Sequence, residues 1–226
     1  MKLQLFATVC VFTALAPRLV AAQTPPVSSA PPPNSTPIKG YVEAVAQSAF
    51  SNVTSQAYGG EFGFAVSPKL LVFVEAGQVR NVATAGISAA AQSVASALTQ
   101  IQSAAVTYTV KQPATLVAGG AKYLFPISGS KAMPYVLAGA GAAKVTNDVK
   151  FQLGGVDAPT ALAQFVSIGG DLSGDFTKPM MTLGVGVAWL AWRQLLVDFQ
   201  YRYGAIFAEG ERINVNRAGI GLGVAF

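Results

Sequence analysis

The stretch RAGIGLGVAF, residues 217–226, decides how the rest of the chain is read. Ala218, Ile220, Leu222, Val224 and Phe226 alternate with Gly219, Gly221, Gly223 and Ala225. A period of two belongs to a β-strand, so one face of this strand is bulky and apolar and the other is nearly empty. A soluble strand with one face on a core carries solvated polar groups on its other face. This strand offers water almost nothing.

The whole chain shares that character. Its 226 residues are 52% hydrophobic and 11% charged, with 23 glycines. That is too apolar for a disordered protein and poor in charge for a soluble one. Beyond the N-terminus no run of roughly 18 apolar residues occurs, which excludes a transmembrane helix from the mature chain. The hydrophobicity is divided among short segments, as strands would divide it.

The N-terminal MKLQLFATVCVFTALAPRLVAA has a basic Lys2, an apolar stretch from Leu3 to Ala16 and small residues at Val20-Ala21-Ala22. It reads as a secretory signal over 1–22, cleaved before Gln23. Cys10 is the single cysteine and lies inside it, so the exported protein is expected to have no disulfide or thiol chemistry. Without Lys2 and Arg18, 13 basic residues face 10 acidic ones, a net of +3 instead of +5. With no Lys/Arg cluster, this excludes nucleic acid as a partner. Residues 23–39, rich in Pro, Ser and Thr, read as an extended linker.

From Gly40 the pattern is regular. Strand-like runs at 40–50, 56–66, 70–82, 105–125, 133–149, 177–190, 194–207 and 214–226 make eight. The connections at 67–69, 126–132 and 191–193 are short, those at 83–104 and 150–176 long, and those at 51–55 and 208–213 intermediate. Short turns at one end and longer loops at the other fit an antiparallel up-and-down barrel over 40–226. In LLVDFQYRYG, Val197, Phe199, Tyr201 and Tyr203 oppose Asp198, Gln200 and Arg202; in MTLGVGVAW, bulky residues oppose Thr182, Gly184 and Gly186. Charges share the glycine face. Glycines and few charges suit a crowded interior better than a solvated exterior, so the bulky face is expected to meet lipid.

VDFQYRYGAIF (197–207) followed by AGIGLGVAF (218–226) resembles the last two strands of the eight-stranded outer-membrane β-barrels of the OmpA/OmpX/OmpW type. The resemblance in architecture covers residues 40 to 226; the motif match is confined to those two strands. It implies a bacterial outer-membrane location, a periplasmic setting for the linker, outer-membrane lipid as the surroundings, and Phe226, Val224 and Leu222 as the face recognised by the barrel-assembly machinery.

Tyr123, Phe125, Tyr135, Trp189 and Trp192 gather beside the short turns and are expected to form the periplasmic aromatic girdle. Asp148, Asp157, Asp171, Asp175, Glu209 and Glu211 lie in or beside the long loops. A calcium site at DLSGD (171–175) would need about six oxygen ligands, and the loop lacks that pattern, so no metal is expected. Alternation places Glu43, Glu61, Glu75 and Asp198 inward against Lys122, Lys144, Arg202 and Arg217. Register counted from the turns sets Glu61 beside Glu75 and Arg202 beside Arg217, so each like-charged pair must find partners across the lumen. These charges plug and staple the barrel, or alternatively line a gated narrow pore.

The chain has no histidine, which removes His-based triads and His-ligated metals. The GxG patterns at 139–142 and 184–187 open no helix after a strand, so they do not bind phosphate. GISAAAQSVASALTQIQSAA (86–105) repeats Ile87, Val94, Leu98 and Ile101 near helical spacing. It reads as a short helix in an extracellular loop, serving as a lid or adhesive contact or merely making the loop compact. The sequence thus predicts a monomeric, cofactor-free, non-enzymatic barrel giving structural support or surface interaction. The alternative is a small channel or conduit for ions or hydrophobic solutes, as in OmpW-like transporters.

Overall fold

In a computed structural model, which describes residues 38–102, 105–153, 156–157, 172–208 and 211–226, the period-two segments form β1 (Gly40–Phe50), β2 (Thr54–Ser67), β3 (Leu70–Val79), β4 (Val106–Lys111), β5 (Ala114–Leu124), β6 (Ala132–Leu153), β7 (Val156–Asp157), β8 (Ser173–Trp192), β9 (Leu195–Ala208) and β10 (Glu211–Ala225). The one helix among them is α1 (Ala85–Gln102). The predicted signal and residues 23–37 of the predicted linker lie outside the described residues, as does most of the loop ahead of β8.

Each strand pairs antiparallel with the next: β1 with β2, β2 with β3, β3 with β5, β5 with β6, β6 with β8, β8 with β9 and β9 with β10. Strand β10 returns to β1 over Tyr41↔Ala225 to Phe50↔Asn216. Eight strands therefore close a ring, and closure removes the edges an open sheet would leave unpaired. Strand β4 pairs only with the far end of β6, from Val106↔Leu153 to Lys111↔Asp148. It continues the line of β5 after a break at Gln112-Pro113, where proline supplies no N–H. Gln112 occupies the break. Its Oε1 accepts from the Thr84 amide at 3.0 Å, its Nε2 donates to Asn147 Oδ1 at 2.7 Å, and its backbone N–H donates to Asn81 Oδ1 at 2.9 Å.

The two faces of the wall separate cleanly. Val42, Phe62, Phe64, Val74, Val117, Val185, Phe199, Ile220 and Leu222 are all about half exposed on the outside. An apolar exterior this continuous marks a membrane-facing surface. Inside, two apolar layers occupy the ends of the lumen. Leu71, Phe73, Leu124, Leu137, Leu196 and Ala225 cluster at the end with the short turns. Val79, Leu116, Val145, Met180, Ile206 and Val215 cluster at the loop end.

Strands β6 and β8 run on past the loop-end layer as a paired extension, from Thr146↔Asp175 to Asp148↔Ser173. Helix α1 begins at Thr84, whose Oγ1 accepts the Ile87 N–H at 3.3 Å as an N-cap does. Ile87, Ala91, Ala95 and Leu98 form its buried stripe. Ile87 joins Ala83 and Leu172 in a small cluster with Val94, Val110, Val149 and Phe151, so the helix shares a core with β4 and the extended part of β6. Ile101, assigned by spacing to the same stripe, is exposed in the last turn.

Candidate functional site: the charge layer of the lumen

Between the two apolar layers lies a polar one. Register sets Glu43 directly opposite Glu61, and Glu61 directly opposite Glu75, so three glutamates stand side by side on β1, β2 and β3. Arg202 is directly opposite Arg217 on β9 and β10. Like charges in such positions repel at Cβ separations of about 5 Å, and both groups resolve this by reaching across the lumen. Arg202 bonds through Nη2 to Glu61 and through Nη1 to Glu75. Arg217 Nη2 lies 3.2 Å from Glu75 Oε1. From β5, Lys122 Nζ reaches Glu61 Oε1 at 2.6 Å and Asp198 Oδ2 at 3.7 Å. The span is short enough because the interior of an eight-stranded barrel is about wide enough to be filled by side chains.

Two tyrosines complete the arrangement. Tyr41 donates its hydroxyl to Glu61, and Tyr135 donates to Asp198 Oδ2 at 2.8 Å. Their rings flank the Lys122 ammonium at 4.5 and 4.4 Å from the centroids, a cation–π arrangement on both sides. Each ring lies over the glycine opposite it in register, Tyr41 over Gly63 and Tyr135 over Gly186. A Cβ at either glycine would collide with the ring. A cavity of about 20 Å³ lies beside Glu61, Glu75, Arg202 and Arg217, about enough for one water. Several buried polar atoms have no hydrogen-bond partner among the described residues, including both Glu43 oxygens, Gln47 Nε2, both amide atoms of Gln200, and Asp198 Oδ1.

Two sequence assignments require correction. Lys144 does not face the lumen. On β6 the inward set is Tyr135, Leu137, Ala143 and Val145, so Lys144 points outward, beyond the apolar band, and pairs with Asp175 at 2.7 Å. That hydrogen bond holds the exposed Asp175 carboxyl below the ordinary aspartate range. Tyr135 is not part of the girdle. Its alternation belongs to the inward set, and it is buried against Asp198. Tyr123, Phe125, Trp189 and Trp192 are exposed on the outside beside the turns, with Tyr123 and Phe125 packed edge to face at 5.1 Å between centroids. Leu222, Val224 and Phe226 share that outer surface. The side chains of Asp157, Asp171, Glu209 and Glu211 lie outside the described residues.

Sequence reasoning placed Thr182 and Gln200 on the inward face, as the structure does, but missed Tyr41, Gln47 and Tyr135 as inward polar residues. The tyrosines had a readable signal, since each stands opposite a glycine in the register the turns impose.

A closed antiparallel barrel with an apolar outside and charges inside is an outer-membrane β-barrel. Residues 19–226 match the outer membrane protein beta-barrel domain family, and the chain belongs to it. No curated protein matches the chain. Among solved structures, Neisserial surface protein A is similar at 15% identity and TM-score 0.50, covering 83% of this chain and 96% of that one. Ail, the attachment invasion locus protein of Yersinia pestis, is similar at 12% identity and TM-score 0.45, covering 83% and 96%. The N-terminal barrel domain of Pseudomonas aeruginosa OprF is similar at 16% identity and TM-score 0.46, covering 82% and 97%. At 15% identity the likeness to Neisserial surface protein A is one of fold alone.

Proposed function

We propose that this protein is a non-enzymatic outer-membrane barrel whose lumen is plugged by its own charge layer, and that it gives the membrane structural support or contacts other surfaces through its long loops. The observation that carries the reading is the packing of the lumen. Ion-paired side chains fill the middle, apolar layers lie on both sides of them, and the cavity left among the charges is about 20 Å³. A hydrated ion needs a continuous aqueous path, and one water-sized void is not a path. In this reading the barrel is a monomer in outer-membrane lipid, and the outward Leu222, Val224 and Phe226 are the face met by the barrel-assembly machinery. Planar-bilayer recording of the refolded protein tests it. The expected result is a baseline current; a steady ohmic conductance would replace the plugged barrel with a small channel or conduit.

A further inference from the structure

Placing Lys144 outside changes the charge count of the lumen. Among the described residues, the buried charged side chains are Glu43, Glu61, Glu75 and Asp198 against Lys122, Arg202 and Arg217, four acids facing three bases. Lys178 shares the inward parity of Met180 on β8, opposite Ala143 of the loop-end layer, but is partly exposed and stands apart from the buried charge layer. Three of the acids are matched. Glu61 has Lys122 and Arg202, Glu75 has Arg202 and Arg217, and Asp198 has Lys122 and the Tyr135 hydroxyl. Glu43 is 3% exposed and neither of its oxygens meets a hydrogen-bonding partner.

A second feature points to the same place. Gln200 is 5% exposed, and both atoms of its amide lack partners. A Cβ on Gly221 would lie 2.7 Å from Glu43 Oε2 and 3.2 Å from Gln200 Nε2, so a carboxylate and a carboxamide converge over a residue with no side chain. Gln47, on the same strand as Glu43 and also buried, brings a further free donor. The charges acting on Glu43 come from Glu61 on β2, Lys122 on β5, and Asp198 and Arg202 on β9; on β10, Arg217 is engaged with Glu75. Every cation in that set already serves another carboxylate. An unpaired ionised carboxylate in such an interior is strongly disfavoured.

We propose that Glu43 binds one exchangeable monocation, a proton or an alkali-metal ion, which balances the one carboxylate of the buried charge layer that has no partner. With the site filled, the Gln200 amide oxygen accepts from the neutral acid or coordinates the ion. A divalent ion is a poor match, because it would overshoot the single missing charge and requires about six oxygen ligands.

Urea unfolding of the micelle-refolded chain and of Glu43→Gln provides the test. The ratio of the two unfolding constants, wild type over variant, isolates this site from other titrating groups. With a bound proton, the ratio in choline buffer rises about tenfold per pH unit between roughly pH 6 and 8, because the folded state keeps a proton that the unfolded state has lost. With a bound alkali ion, the ratio at fixed pH falls about tenfold for each tenfold increase in sodium or potassium at constant ionic strength, once binding saturates. Either response supports the proposal and identifies the cation. A ratio independent of both pH and cation overturns it. Glutamine reproduces the neutral acid in shape and equalises the charge count, so a Glu43→Gln chain that fails to fold also overturns it.

Discussion

Lys122 and Lys144 stand on neighbouring strands of one wall, and each has a carboxylate at nearly the same distance, 2.6 Å to Glu61 and 2.7 Å to Asp175. Distance does not distinguish the two pairs. The Lys122 side chain is 3% exposed, walled in by two tyrosine rings, whereas that of Lys144 is 56% exposed. Water screens the second pair and solvates either partner if the other is lost. In the lumen no solvent replaces a missing partner, so the cost of a substitution there is set by the charge left behind.

The contrast is sharpest at Arg202, which alone holds two glutamates. Arg202→Met is expected to destabilise the barrel by about 3–5 kcal/mol, the cost of breaking a buried pair, read as a lower urea midpoint in micelles that 1 M salt does not restore. Arg217→Met removes one bond from Glu75, which keeps Arg202. The expected loss is about 2 kcal/mol, that of one hydrogen bond to a charged group. A loss as large as that at Arg202 would mean that the layer acts as a single unit and not as separable pairs. Lys144→Ala is expected to lower the midpoint only slightly at neutral pH, and that small difference disappears in acid. Because the Lys144 hydrogen bond depresses the folded-state Asp175 carboxyl, its small contribution is present above the ordinary aspartate value and fades as the pH falls below about 4. Acid profiles of wild type and Lys144→Ala should therefore converge at the low end. A clear loss of stability for Lys144→Ala at neutral pH would erase the distinction between the two pairs.

The same contrast explains what the sequence made legible. Eight strands, their order and the short-turn end could be read because glycines opposed bulky residues across most of the wall, as in Gly184 and Gly186 against Leu183, Val185 and Val187. That signal rests on lipid outside and crowding inside, and it stops where the lipid stops. Strand β6 extends to Leu153 and β8 begins at Ser173, beyond the predicted 149 and 177. Toward that end, already at Lys144, the outer face meets water, so a charge there no longer marks the inside. Tyr135 shows the complementary error. Nearness to a turn gives a residue's height along the barrel but not its face, and only the alternation through Leu137 to Ala143 and Val145 assigns it to the lumen. The break at Gln112-Pro113 fell within the segment 105–125 read as one strand, because β4 and β5 pair with successive parts of the same partner strand.

The row of three glutamates also imposes an order in time. It is complete once β1, β2 and β3 have paired, yet the arginines that pair with two of its members, Glu61 and Glu75, stand 127, 141 and 142 residues further along the chain. A chain halted after β8 would hold Glu43, Glu61 and Glu75 side by side with Lys122 as the one buried cation facing them, and such a row must remain hydrated. Contacts of such long range are rewarded only after the loop-closure entropy has been met. The interior therefore dries last, and the arrival of β9 and β10 both shuts the seam with β1 and discharges the repulsion stored along the opposite wall. A half-built barrel gains little by lingering, and every step before the final one can be undone.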